Sequence, residues 1–357
     1  MPSCIIIKND GIGDLILSSG LISDICLFFH NQVDLVTCET NREIAESIEG
    51  LRKIYYISRD SLRFFSKPLK IGICLQHIIE SDKQVMYEIK ANKYEYALCL
   101  RKYIRASSFI LMQHINAKNK VYMWKYPTNV SEKIALKYTK KNIHLTNDDN
   151  NMNELTYYQS LLSSFFNTTF NSLPHLLMNP PKLYKQQKKS IAIGMPGDSS
   201  ANWPLEYYFY LIKSLCNKGW NIYILGGKCN SVFTELIENN CSCINLVGKL
   251  TFKETLPYLM KSQYYIGNDT GLSHFASIYH PKCLIIYGGG TFKHFFPWPK
   301  SSNQFIIYKK MNCFNCNWKC KYATPKCLNK ITPDIILDYL NKIVSKTAEQ
   351  FYNISET

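Results

Sequence analysis

The sequence has no apolar run long enough to cross a bilayer. The longest runs, such as Cys283 to Tyr287, fall far short of the roughly 20 residues that a spanning helix needs. The opening stretch, Met1 to Asp14, carries one lysine, then an acid, and no long apolar segment. It reads as a strand and not as a secretory leader, so a cytoplasmic location is expected. No short repeat is found. Acidic residues are scarce: 27 Asp and Glu stand against 42 Lys and Arg, a formal net charge of +15. That balance favours anionic partners such as nucleic acid, anionic lipid or phosphorylated substrates. A lysine-rich composition bias, with Asn, Ile and Tyr also abundant, accounts for the same excess.

Hydrophobic residues make up 46% of the 357 positions. This excludes a disordered or fibrous chain and provides for two ordinary domains, each with its own core. There are fourteen cysteines. Without a secretory leader they do not read as a disulfide scaffold. Cys4, Cys26, Cys38, Cys74, Cys99, Cys216, Cys229, Cys241, Cys243 and Cys283 sit singly among apolar residues and read mostly as small buried hydrophobes.

Strand patterns alternate with helical ones. Cys4 to Ile7 is a strand, Asp14 to Phe29 a helix, and Val33 to Thr37 a strand. Further strands are expected at Ile54 to Ile57, Tyr94 to Leu100 and Lys120 to Met123, with helices at Ser107 to His114 and Asn153 to Phe166. From Asn167 to Lys189 the periodicity stops and Pro174, Pro180 and Pro181 appear, which marks a linker. The alternation then restarts at Ser190 and runs to a strand at Lys282 to Tyr287, with a last helix at Pro333 to Val344. Thr251 and Glu254 make a capping box for a helix ending near Met260. The fold class expected is α/β: an N-terminal domain over 1–180 and a C-terminal one over 181–357, each a mostly parallel sheet with helices on both faces. Ligands of such sheets bind beyond the C-terminal strand ends, so two halves suggest a central cleft.

Three strand-to-helix loops carry candidate chemistry. In Asp10-Gly11-Ile12-Gly13-Asp14, Gly13 permits close backbone approach, and Asp14 is either a helix cap or a general base for an acceptor hydroxyl. In Asn268-Asp269-Thr270-Gly271-Leu272-Ser273-His274, a helix N-terminus suits a diphosphate. Thr270 and Ser273 offer hydroxyl donors, His274 reaches toward a phosphate or ribose, and Asp269 accepts from a sugar hydroxyl or fixes the loop. In Gly197 to Pro204, Ser199 and Ser200 are phosphate donors or parts of an ordinary capped loop, with Pro204 near the first helical position.

With these motifs in this order, the chain resembles the heptosyltransferases of lipopolysaccharide core synthesis, glycosyltransferase family 9. The matching features are Gly11-Ile12-Gly13-Asp14, Pro196-Gly197 followed by Trp203-Pro204, Leu225-Gly226-Gly227, and Asn268 to Ala276. The resemblance spans residue 4 to about residue 340. It implies a GT-B fold, two Rossmann-like domains facing a cleft, and an inverting, metal-independent transfer from ADP-heptose or another nucleotide sugar. It assigns Asp14 as the base and Asp269, Thr270, Gly271 and His274 to the donor.

Three departures stand out. Ala201 replaces a lysine that family members use for the donor phosphates. Lys228 follows Gly227 where an acid is common, and restores a positive charge near the donor. Cys99 and Arg101 stand where Asp and Gln are usual, while Arg105 keeps a basic position. Arg101, Lys102 and Arg105 read either as a site for a phosphorylated or acidic acceptor or as a solvated basic face.

Cys313, Cys316, Cys320 and Cys327 fall within fifteen positions. Four thiolates satisfy a tetrahedral structural ion, zinc by default and iron with the same ligands. Lys319, Lys321 and Lys326 would offset the charge; reduced cysteines in a loop are the other reading. Some family members, including relatives that glycosylate autotransporter proteins, carry a similar cluster.

A nucleic-acid binder would use the basic charge but would leave both α/β halves unexplained, so no nucleic-acid partner is expected. A weakened partner protein on the same fold is motivated by Ala201 and Cys99. The expected acceptor is a lipopolysaccharide core intermediate, with protein Ser or Thr as the alternative. Peripheral contact with the anionic inner membrane fits the charge, at about 1 kcal/mol per Lys or Arg near the surface.

Overall fold

The computed structural model describes residues 2–58, 82–103, 105–124, 130–146, 152–178, 185–197, 202–227 and 231–354. The chain divides into two compact units between Leu177 and Met178.

The strands of unit 1 are β1 Cys4–Ile7, β2 Val33–Cys38, β3 Leu51–Ile57, β4 Lys93–Cys99, β5 Asn116–Tyr122 and β6 Ile143–His144. Its helices are α1 Ile12–Phe28, α2 Arg42–Ala45, α3 Lys83–Ala91, α4 Ala106–His114, α5 Val130–Tyr138 and α6 Glu154–Phe166. All strand pairs are parallel, in the order β3-β2-β1-β4-β5-β6. The central strand β1 is wholly buried, which is why it reads as an unbroken apolar run. β5 starts four residues earlier than the sequence suggests. Its neighbour β6 pairs only with Val121 and Tyr122. Among the described residues Asn116 to Asn119 have β4 alone as a strand neighbour, and at such an edge polar side chains cost little.

Unit 2 holds β7 Ser190–Gly194, β8 Asn221–Leu225, β9 Ile244–Asn245, β10 Tyr264–Asn268, β11 Cys283–Ile286, β12 Gln304–Tyr308 and β13 Phe351–Asn353. The helices are α7 Leu205–Asn217, α8 Ser231–Asn240, α9 Phe252–Lys261, α10 Gly271–Tyr279, α11 Lys326–Asn329 and α12 Pro333–Val344. The sheet is again all parallel, ordered β13-β12-β11-β10-β7-β8-β9. Ile191, Ile193, Trp203, Tyr208, Leu284, Ile286 and Leu340 belong to its core. The capping box at α9 is present: Thr251 accepts from Glu254 N at 3.3 Å and Glu254 accepts from Thr251 N at 2.8 Å. α7 begins at Leu205, so Pro204 is its N-cap rather than its first residue.

The first part of the segment that reads as a linker is tied down. Asp24 Oδ2 on α1 accepts from the backbone N–H groups of Asn171 and Ser172 at 3.1 and 3.0 Å. Ser19 Oγ accepts from His175 N at 3.0 Å. A Cβ at Gly20 would collide with the Leu173 carbonyl. These are side-chain contacts to irregular backbone, and they leave no periodic trace in the sequence.

Candidate functional site

Each sheet reverses its winding between two neighbouring strands. In unit 1 the reversal lies between β1 and β4, and in unit 2 between β7 and β10. Loops leaving the C-terminal ends of such strands diverge and open a crevice for ligands. The Asp10–Asp14 turn follows β1 and Arg101 follows β4. The loop toward Trp203 follows β7, and Asp269 to Gly271 follow β10.

In unit 1 this placement assembles a charge cluster. Lys8, the residue after β1, is fully buried. Its Nζ lies 3.2 Å from Asp10 Oδ2, 3.2 Å from Glu154 Oε1 and 3.2 Å from the Leu100 carbonyl. Burial alone would lower the Lys8 pKa, but Asp10 and Glu154 outweigh it and hold the ammonium charged. Tyr158 donates to Glu154 Oε1 at 2.9 Å. Arg101 donates to Asn9 Oδ1 at 3.0 Å, and its Nε stands 3.8 Å from Asp10 Oδ2. Oxygens of Asp10, Asp14 and Glu154 all lie within 4.8 Å of one another.

Asp14 is in the first turn of α1. Its Oδ2 accepts from Gly11 N at 3.1 Å, which is the helix-capping contact. A Cβ at position 11 would stand 2.9 Å from that oxygen, which explains the glycine. No ion pair among the described residues includes Asp14. Burial first, and then the charge of Asp10, push its carboxyl up to about 7. Such a group takes up and releases a proton near neutrality.

The basic trio does not form one face. Lys102 is buried, with its ammonium 4.9 Å from the Tyr157 ring centroid and donating to the Met152 carbonyl at 3.4 Å. This corrects the solvated-face reading for Lys102. Arg101 faces Asp10, and only Arg105 is exposed. Cys99 is buried in the core.

In unit 2, Asn268 Oδ1 accepts from Trp203 N at 3.1 Å and from Tyr208 OH at 2.7 Å. It therefore pins the loop after β7 to the end of β10. Trp203 is a packing anchor: it is fully buried and donates through Nε1 to the Ile331 carbonyl at 2.6 Å. Ser273 is also buried, bonded to the Asn268 carbonyl and the Tyr265 hydroxyl, so it braces the loop instead of facing a ligand. Thr270 caps α10 without a side-chain hydrogen bond. The first-turn amides keep the unsatisfied donors that favour an anion.

His274 is 3% exposed, and its ring stacks on Phe296 at 4.2 Å and on Trp298 at 5.9 Å between centroids. The indole N–H of Trp298 donates to Nδ1 at 3.1 Å. An indole can only donate, so the ring proton belongs on Nε2, which faces Asp269 Oδ1 at 3.7 Å. His274 thus stands beside Asp269 with its N–H toward the carboxylate. Ser199, Ser200, Ala201 and Lys228 lie outside the described residues.

Cys313, Cys316 and Cys320 lie on the loop whose Phe314 and Trp318 cover Gly288-Gly289-Gly290, and Cys327 lies in α11. A Cβ on any of these three glycines would strike Trp318 or Phe314. Gly289 N donates to Cys327 Sγ at 3.4 Å. After burial, the charges of Cys316, Cys327 and Cys313 raise the Cys320 thiol, but no three of the four sulfurs lie within 4.8 Å of one another.

Lys8, Asp10, Glu154 and Trp298 were not singled out from sequence. Asp10 opens the Asp10–Asp14 motif without a role of its own there, and Lys8 precedes it, a lysine ending an apolar strand being a readable signal. Glu154 enters from α6, 146 residues after Lys8, and reads only as a helix-start acid.

The family model for glycosyltransferase family 9 (heptosyltransferase) matches residues 84–323. Lipooligosaccharide heptosyltransferase 2 of Campylobacter jejuni subsp. jejuni serotype O:6 is 24% identical over 281 residues, 73% of this chain and 84% of that protein. Among solved structures, E. coli heptosyltransferase WaaC with ADP-2-deoxy-2-fluoro heptose superposes with a TM-score of 0.65 at 16% identity, covering 96% of this chain and 99% of that one. The iron-containing dodecameric glycosyltransferase TibC from enterotoxigenic E. coli H10407 superposes with a TM-score of 0.55 at 12% identity, covering 96% and 78%.

Proposed function

We propose, for a chain that belongs to glycosyltransferase family 9 (heptosyltransferase), that it moves heptose from ADP-heptose to a lipopolysaccharide core acceptor with inversion. Its two parallel-sheet α/β units are those of the GT-B fold. The observation that carries the reading is Asp14: a carboxyl at the sheet reversal of unit 1, without an ion-pair partner among the described residues and raised to about 7.

In the proposed reaction Asp14 takes the proton of an acceptor hydroxyl as that oxygen attacks the anomeric carbon. The bond to the diphosphate breaks in the same displacement. Inversion follows because no covalent sugar intermediate forms. Charge gathering on the departing diphosphate is met by the N-terminal amides of α10 with Thr270 and Gly271. Asp269, oriented by His274, accepts from a sugar hydroxyl. Gly13 leaves room near Asp14. Ser199, Ser200 and Lys228 complete the donor contacts, and Arg101 and Arg105 face the acceptor.

The named curated relative acts on a lipooligosaccharide, which supports a glycolipid acceptor over a protein one. The intact Asp14 cluster argues against a weakened partner protein. No helix among the described residues is long and apolar enough to cross a membrane. We assign the protein to the cytoplasm, with peripheral attachment to the anionic inner leaflet through its basic excess.

The four cysteines supply a ligand set for a structural metal, zinc or iron, which the ion would have to draw together: among the described residues the ligand atoms that lie within 4.8 Å of one another are those of Asp10, Asp14 and Glu154. Cys327 accepts a backbone N–H of the kind that steadies thiolate ligands. The ion would tie the 313–327 loop together and take no part in transfer.

The test is calorimetric titration with ADP, UDP and GDP, followed by transfer from ADP-heptose to a heptose-deficient core, read by mass spectrometry. Selective ADP binding that falls in Asp269→Ala, with a product one heptose heavier, supports the reading. Preference for another nucleotide removes heptose as the sugar.

A further inference from the structure

We propose that Lys8 and Glu154 are positioning residues of the transfer reaction: Lys8 is held by Glu154 and Asp10, and Asp14 is left as the one carboxylate of the buried cluster with no ion pair among the described residues. The inference rests on Asp14 being the base.

The argument is charge counting in a confined space. Three carboxylates meet with oxygens within 4.8 Å. Two cations reach them, and each is spoken for. Lys8 holds Asp10 and Glu154 at 3.2 Å each, and Arg101 approaches Asp10 at 3.8 Å. Among the described residues Asp14 has a backbone N–H, that of Gly11, and no ion pair. The set of five carries one surplus negative charge, and the proton that cancels it goes to the carboxylate lacking a cation. That is the property a base needs when it takes a proton from a hydroxyl. The groups facing Asp14 are Lys8 and Asp10 from β1 and its turn, Arg101 from the end of β4, and Glu154 with Tyr158 from α6. Glu154 strengthens the proton affinity of Asp14 and Lys8 opposes it. α6 therefore tunes a group on α1 through a lysine on β1.

Opposite charge changes must then move activity in opposite directions. Glu154→Gln keeps the shape and an acceptor for Lys8 and Tyr158, but removes one negative charge. The acid limb of kcat against pH should move down by about half a unit to one unit. Lys8→Met removes the positive charge and should move the same limb up. ADP affinity, a property of unit 2, should stay within about twofold in both. A purely structural role would lower kcat at every pH and leave the limb in place, or move it the same way in both; either result overturns the proposal. If only one variant folds, the sign of its shift decides. Asp14→Asn separates the two layers. Transfer that survives in it removes the base reading, whereas lost transfer beside an unmoved limb in Glu154→Gln removes only the positioning role.

Discussion

The indole N–H of Trp298 donates to Nδ1 of His274 across 3.1 Å, while the two rings lie stacked with planes 10° apart. One residue therefore sets both the orientation and the tautomer of the other, and His274 presents an N–H to Asp269. Trp298→Phe keeps most of the stack and deletes the donor. The histidine proton is then free to sit on either nitrogen, and Asp269 loses a fixed partner. ADP or donor affinity should fall about threefold to tenfold in calorimetry, with a stability loss of about 1 kcal/mol in urea denaturation.

Asp14→Asn should lower kcat by about 10²- to 10⁴-fold, the usual range for a lost general base. Nucleotide binding, read by calorimetry, should be unchanged.

The raised carboxyl of Asp14 gives two pH signatures. The reaction needs the ionised form, so kcat should rise with pH through about 7. The folded state holds this proton up to about 7, whereas an unfolded chain releases it near the model-peptide value of 3.8. Between those values the folded chain binds more protons, so this group's contribution to stability falls as pH rises. Asp14→Asn removes that cost. Above pH 7 the variant should be more stable than the parent by on the order of 1–2 kcal/mol after solvent screening, as measured by urea melts.

The glycine run under the cysteine loop is fixed by packing. Gly289→Ala places a methyl against the Phe314 ring. A loss of about 1–3 kcal/mol is expected from overpacking, read as a lower midpoint in denaturant.

Metal content of the purified protein should be about one zinc or iron per chain by elemental analysis. Cys316→Ser and Cys320→Ser should lose it, whereas Cys216→Ser should not. Chelation should change the tryptophan emission, because Trp318 packs against Gly288 and Gly290.

Local rules made much of this protein readable. The apolar runs at Cys4–Ile7 and Ser190–Gly194 mark central strands because both faces of a parallel sheet are covered. The loops after them stand out because helix starts need glycine, capping acids and hydroxyls there. Asp14 and Asp269 to Gly271 could thus be picked out as candidates by spacing, while their roles came from the resemblance to glycosyltransferase family 9. β13 is unreadable because three residues leave too short a pattern, and β12 because no helix separates it from β11, so it falls outside the strand–helix alternation.

What the sequence determined by itself was the order of strands and helices, the strand-end loops and the identity of the Asp14 carboxyl, since these follow from contacts a few residues apart. What only the tertiary structure decided was the company those residues keep. Glu154 reaches Lys8 across 146 residues, Trp298 reaches His274 across 24, and Asp24 receives Ser172 across 148. Such pairings depend on which strands become neighbours. Electrostatic and hydrogen-bond energies depend on distance in space, and the sequence records only distance along the chain.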